Sequence, residues 1–235
     1  MTLPPWLIAP SADDLPVGQV HVGIVGNADG GWHVALLYRL RLSASFAWLL
    51  HLAGDQQLYK DEQDHEDIKF YCWVKPALAP EQQLALALLC GKVAEKNLSD
   101  SIRFGFTPPI AKVQDDGKML LGSTDVGLTC ASFVMSLFSK IGVTLLDLEN
   151  WPSRKQDEQF ISGVGKNIKK VDEAHGERIL AAIAAAIRCR PPEVAGASSS
   201  PNTPLKQADA EKVASVLLSA LGNLPKSSIS LRRNG

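Results

Sequence analysis

Long apolar runs are missing from this chain of 235 residues; none reaches the roughly 18 consecutive apolar residues of a membrane-spanning helix. The start, MTLPPWLIAPSADDLP, lacks the basic end and long apolar stretch of a secretory signal, so a soluble, cytoplasmic protein is expected. Cysteine is scarce. Cys72, Cys90, Cys130 and Cys189 form no C-x-x-C pair and no zinc spacing. Free thiols in a reducing compartment are therefore expected, and no metal or other cofactor. A surplus of charge is lacking too. Lys and Arg number 24 against 25 Asp and Glu, a formal net charge of −1, which gives no electrostatic case for nucleic acid or an anionic membrane. The carboxylates are scattered, which argues against glycosidase chemistry. Internal repeats are absent.

What the chain does have is apolar content, 46% of its residues, enough for one well-buried core. VHVGIVG (20–26) alternates and is β-branched, so it reads as a strand closed by the NADGG turn. WHVALLYRL and SFAWLLHLA read as two further strands, and KFYCWVKP (69–76) as a fourth. The acidic run DQQLYKDEQDHED (55–67) reads as a solvated loop. In APEQQLALALLCGKVAEKNL, Pro80 suits a first helical turn, and Leu84, Leu88 and Leu89 suggest the apolar face. SIRFGF and KMLLG are candidate short strands. Thr129 is a candidate N-cap for a helix opening at Cys130, with Phe133, Leu137, Phe138 and Ile141 at helical spacing and Gly142 as the stop. Past Trp151 the pattern weakens until an alanine-rich helix with Ile179, Ile183 and Ile187 in one stripe. RPPEVAGASSSPNTP has the composition of a linker. DAEKVASVLLSALG is a last amphipathic helix carrying Val213, Val216, Leu217, Ala220 and Leu221, and the basic KSSISLRRNG follows as a tail. Antiparallel strands followed by helices make an α+β plan.

Two imidazoles interrupt the apolar strands. A hairpin centred at Leu42 pairs Tyr38 with Phe46, Leu36 with Trp48, Val34 with Leu50, and His33 with His51. Directly opposed side chains share a sheet face, about 5 Å apart at Cβ. A pair of imidazoles on one face disfavours double protonation and suits one neutral base held by a second polar group.

Cys130 is the one cysteine at an expected helix N-terminus. The helix dipole and unpaired N–H groups there favour a thiolate and can donate to a developing oxyanion. Cys72 within a strand, Cys90 mid-helix and Cys189 after a helix end read as structural. Trp32 and Trp48 flank the histidines and read as core or boundary residues.

H-V-A-L-L-Y, then L-L-H-L-A, then T-C-A-S-F-V at a helix start resemble the permuted NlpC-like branch of the papain-like thiol hydrolases. That branch includes the lecithin–retinol acyltransferase type. It places the histidine strand before the cysteine helix, the order found here over residues 18 to 145. The resemblance implies a circularly permuted papain-like α+β fold, an antiparallel sheet packed against the nucleophile-bearing helix. It implies Cys130 as nucleophile, His33 as general base and His51 as the residue orienting that base.

The domain reading is a papain-like α+β unit over 1–190 with a helical extension from about 150, a flexible linker over 191–206, and a C-terminal amphipathic helix with basic tail over 207–235. The functional expectation is a cysteine-nucleophile hydrolase or acyltransferase acting on an amide, peptide or ester carbonyl through an acyl-enzyme. Its partners would be a small-molecule, peptide or lipid-derived carbonyl substrate and a protein docking on the C-terminal helix, with no nucleic acid and no integral membrane segment. The alternative is a catalytically inactive papain-like binding or regulatory module, or an immunity-type interaction protein.

Overall fold

The computed structural model describes residues 6–8, 15–26, 31–40, 47–53, 57–62, 72–99, 102–122 and 126–222. Its centre is a six-stranded antiparallel sheet. The strands are β1 (Leu7–Ile8), β2 (Val20–Gly26), β3 (Trp32–Tyr38), β4 (Trp48–Leu52), β5 (Leu58–Glu62) and β6 (Cys72–Val74), in the spatial order β1-β6-β2-β3-β4-β5. A two-stranded ribbon, β7 (Lys112–Val113) and β8 (Met119–Leu120), lies apart from it. The helices are α1 (Pro80–Asn97), α2 (Cys130–Lys140), α3 (Lys155–Lys169), α4 (Glu173–Ala181), α5 (Pro191–Ser198) and α6 (Gln207–Gly222). The architecture is α+β, and no described helix is long and apolar enough to cross a membrane.

Strand periodicity divides the sheet into two faces. Val22, Ile24, Val34, Leu36, Leu50 and Leu52 enter the main core with Phe133, Leu137 and Phe138 of α2 and Leu86, Leu89 and Val93 of α1. Val25, Ala35, Leu37, Leu49 and Trp73 form a smaller cluster on the other face. α2 starts cleanly. The Thr129 side chain accepts from the Ser132 N–H, the Ser132 hydroxyl accepts from the Thr129 N–H, and Gly142 at φ +81° ends the helix. The approach to this helix depends on Gly127. At its φ of +140° a Cβ would sit 2.0 Å from the Arg103 carbonyl oxygen, so only glycine lets the 126–128 segment run beside 103–105.

Several expectations change here. The β3–β4 register is Leu36 with Leu50 and Tyr38 with Trp48, two residues from the pairing of a hairpin centred at Leu42. The connection is centred at residue 43, and both Leu42 and Phe46 lie outside the described residues. Tyr59 to Asp61, within the expected acidic loop, belong to β5, because Leu58 is buried and pairs with Leu52. Residues 155–169, left without an element, form α3. The stripe of Ile179, Ile183 and Ile187 does not belong to one helix: α4 stops at Ala181, and Ile183 lies in a separate 3-10 turn. On α1, Leu84 and Leu88 are 48% and 49% exposed, while Leu86, Ala87, Leu89, Cys90 and Val93 carry the buried face. The periodicity is right and its phase is shifted.

The largest correction concerns residues 191–206. Residues 191–198 are not a flexible linker but α5, with every residue buried. Its composition is that of close helix packing. Pro191 opens the first turn, the Glu193 carboxylate accepts from the Arg190 N–H at 2.8 Å, and Gly196 faces α6 so closely that a Cβ would lie 2.8 Å from Val213 Cγ1. α6 therefore docks within the chain, burying Ala210, Ala214, Leu217 and Leu221 and leaving Val216 exposed. The basic tail lies outside the described residues.

Candidate active site

Three adjacent strands of the sheet build the polar centre. His33 stands near the start of β3, His51 near the end of β4, and Asp61 on β5. All three belong to the sheet face of the smaller cluster, since His33 pairs with Val25 and Asp61 pairs with Leu49. In the observed register the two imidazoles are diagonal rather than directly opposed. The two-residue shift preserves the face, so the rings still meet. His33 Nε2 lies 3.1 Å from His51 Nδ1, with the rings edge to face at 5.1 Å. His51 Nε2 lies 2.9 Å from Asp61 Oδ2, and Tyr59, directly across from His51, stacks on its ring at 5.4 Å.

This order of contacts fixes the tautomers when both rings are neutral. The Asp61 carboxylate only accepts, so His51 carries its proton on Nε2 and presents Nδ1 as an acceptor. His33 then donates from Nε2 and keeps its lone pair on Nδ1. Burial, and next the His51 ring, lower the His33 pKa to about 3, so His33 is neutral across the physiological range. With both rings neutral Nδ1 is the unprotonated nitrogen of His33, and burial makes it a weak base.

Cys130 lies on the other side of the sheet from the two imidazoles, so the structure joins His33 to His51 but does not bring the thiol onto their face. Its helix packs on the main-core face of the sheet, and Cys130 itself is partly exposed at the helix N-terminus. Burial raises the thiol pKa. The backbone N–H groups of Val34, Ala131 and Cys130, and then the Arg188 charge, act in the opposite direction. The expected net lowering at a helix N-terminus is therefore reversed, because desolvation outweighs the helix start. The Val34 N–H belongs to the peptide that follows His33, so the sulfur approaches β3 at the base of the candidate histidine. Among the described residues no hydrogen bond joins that sulfur to either imidazole. The resting arrangement is a neutral thiol and a neutral imidazole, unlike an ion pair.

The remaining thiols have different settings. Cys72, Cys90 and Cys189 are buried, and burial raises all three, Cys72 to about 11. Of the other histidines, His175 is fully buried and bonds the Phe104 carbonyl at 2.8 Å, while His21 is lowered to about 4 by burial and Lys75. Among the described residues no cluster of His, Cys, Asp or Glu is arranged to hold a metal ion. Trp32 and Trp48 pack against the main core, and Lys60 lies 3.9 Å over the Trp48 ring.

Sequence reasoning missed Asp61 and Tyr59. The alternation Leu58, Lys60 against Tyr59, Asp61 was the available signal, hidden by the charge of the run around it. Comparison with known proteins finds no matching family model, curated protein or solved structure.

Proposed function

We propose that the protein is a cysteine-nucleophile hydrolase or acyltransferase of permuted papain-like plan, acting on an amide, peptide or ester carbonyl through an acyl-enzyme. The observation that supports this reading most is the relay Asp61–His51–His33, a carboxylate and two imidazoles in hydrogen-bond contact on three adjacent strands.

The chemistry follows from the protonation states. A neutral pair requires the proton to leave Sγ as the sulfur attacks, so His33 acts as general base during C–S bond formation. His33 Nδ1 takes the proton, and the imidazolium is stabilised through His51 by Asp61. The N–H groups of Cys130 and Ala131 at the start of α2 face the developing oxyanion. Collapse of the tetrahedral intermediate expels the leaving group, which receives the proton from His33. Water or another acceptor then releases the acyl group from sulfur.

A second reading has one observation in its favour. The imidazoles face the smaller cluster while the Cys130 helix packs on the main-core face, which suits an inactive module of the same plan, in which the relay is structural. Alkylation near neutral pH separates the two. The hydrolase reading expects Cys130 to react with iodoacetamide much faster than Cys72, Cys90 and Cys189, and His33→Ala to remove that advantage. Equal rates at all four thiols, or an unchanged Cys130 rate in His33→Ala, leave the inactive module as the better account.

A further inference from the structure

α1 turns an apolar surface outward at the centre of a charged stripe. Leu84 and Leu88, one turn apart, are 48% and 49% exposed, and Leu98 at the C-cap is 47% exposed. At about 100° per residue, Glu81, Leu84, Ala85, Leu88, Lys92 and Glu95 fall on one side of the helix, and each of them is exposed. The surface continues onto neighbouring chain. Val17, also exposed, lines a cavity of about 370 Å³ with Leu78, Leu84 and Lys75. Leu40 lies over Gly91, where a Cβ would come within 2.7 Å of its Cδ1. Single exposed apolar residues are ordinary on a protein surface, but a contiguous group rimmed by charge marks an interaction site.

The order of charges along the stripe indicates what covers it. Glu81 stands one turn before Ala85, and Lys92 one turn after Leu88. A second copy laid antiparallel, with its Leu88 against Ala85, therefore sets Lys92 against Glu81, and two-fold symmetry repeats the pair at the other end. The same overlap carries Leu98 of the second copy toward the cavity beside Val17, and its Glu95 toward Lys75. A parallel copy would instead face Glu81 with Glu81 and Lys92 with Lys92, which repels. Lys92 donates one N–H to the Asp115 carbonyl at 2.9 Å and keeps others for a carboxylate.

We propose that two copies of the chain associate through antiparallel α1 helices about a two-fold axis, with Leu84, Ala85 and Leu88 at the centre of the contact. The association is independent of the chemistry at Cys130. The small side chain of Ala85 lets the two helices approach closely. A specific interface needs about 1,000 Å² in total. α1 is roughly 27 Å long, and Val17, Leu40 and Leu98 widen the contact only modestly. The dimer is therefore a weak one, forming at micromolar rather than nanomolar concentration.

Sedimentation velocity of the full chain over a concentration series tests the proposal. The weight-average mass is expected to rise from that of one chain toward that of two. Leu88→Asp is expected to raise the dissociation constant roughly tenfold or more, as loss of a central contact does. Leu88 is exposed, so the far-ultraviolet spectrum of that variant should match the unmodified protein's. Charge exchange tests the orientation. Glu81→Lys alone and Lys92→Glu alone each weaken the dimer, and the double variant restores it, because opposite charges then meet again across the axis. Should Leu88→Asp unfold, the charge-exchange set decides, since both of its positions are exposed. A chain that stays monomeric throughout the series overturns the proposal. So does a dimer indifferent to Leu88→Asp, or a loss in the single charge variants that the double variant does not restore.

Discussion

Asp61 Oδ2 lies 2.9 Å from His51 Nε2, and this one contact determines which nitrogen of a different histidine is unprotonated. The carboxylate holds the His51 proton on Nε2, His51 Nδ1 then accepts from His33 Nε2, and the lone pair of His33 is left on Nδ1. Replacing the carboxylate by an amide breaks the chain, because an Asn side chain can also donate. Asp61→Asn is expected to slow alkylation of Cys130 roughly 10²-fold or more, in the range of lost general-base catalysis. The far-ultraviolet spectrum and the thermal midpoint should change little, since Asp61 and His51 are both partly exposed. A labelling rate equal to that of the unmodified protein would show that the carboxylate has no hold on the base.

The lowered pKa of His33, about 3, has a consequence for stability. The unfolded chain takes up that proton near pH 6.5, whereas the folded chain resists until about pH 3. Between those values the unfolded state binds more protons, so stability falls as pH falls through this window. His21, lowered to about 4, adds to the loss between pH 6.5 and 4. Each histidine contributes a slope of at most about 1.4 kcal/mol per pH unit. Urea denaturation at pH 7, 5.5 and 4.5 measures the slope. His33→Gln and His21→Gln should each flatten it, and an unchanged slope in both variants would place the acid sensitivity elsewhere.

Thr129 caps the helix that carries the thiol, accepting from the Ser132 N–H at 3.1 Å. Thr129→Ala is expected to cost about 1 kcal/mol in chemical denaturation. Fraying of the first turn also moves the Cys130 and Ala131 N–H groups, so the alkylation rate of Cys130 should change alongside stability. Thr129→Ser, which keeps the hydroxyl, should restore both.

Much of the sheet was legible because β2, β3, β4 and β6 follow simple alternation or β-branched enrichment, and tertiary structure reinforces that pattern. The cap at Thr129 and the stop at Gly142 were legible for the same reason, as both are local. What escaped depended on partners distant in sequence. β5 carries the half-buried charges of Lys60 and Asp61 and becomes a strand only because β4 offers it an edge, and with it Asp61 stayed hidden. α5 is short and rich in Pro, Gly, Ala and Ser. Such a composition reads as a linker until a neighbouring helix makes small size an advantage. Of the candidate site, the His33–His51 pairing survived a two-residue register error because a shift of two leaves side chains on the same face. The thiol's environment did not, since helix position was visible in the sequence and desolvation was not.

The α5–α6 contact offers a direct check on residues 191–198 as structure. Gly196 lies so near α6 that a Cβ would fall 2.8 Å from Val213 Cγ1. Gly196→Val must push the helices apart or distort one of them, and overpacking of this kind costs about 1–3 kcal/mol. A flexible linker would accept valine at no cost. Thermal unfolding of Gly196→Val against Gly163→Val, where a Cβ would meet nothing within 4 Å, compares the two directly. The first is expected to lower the midpoint by more than the second.

Arg154 ties the extension to both of the last helices, and its loss should be the most damaging change outside the core. It is 11% exposed and bonds Asp157, Glu193 and Glu211, while Glu193 is only 2% exposed. Arg154→Met preserves much of the volume but leaves the Glu193 carboxylate buried beside no guanidinium of its own. Breaking one side of a buried pair costs about 3–5 kcal/mol, because the remaining charge keeps its desolvation penalty. The double variant Arg154→Met with Glu193→Gln removes that stranded charge and should recover part of the loss. Denaturant midpoints of the two single variants and the double variant close a thermodynamic cycle. Additive losses would mean that the two groups do not interact. A double variant more stable than Arg154→Met alone is the expected result, and it would identify the stranded Glu193 charge as the source of the damage.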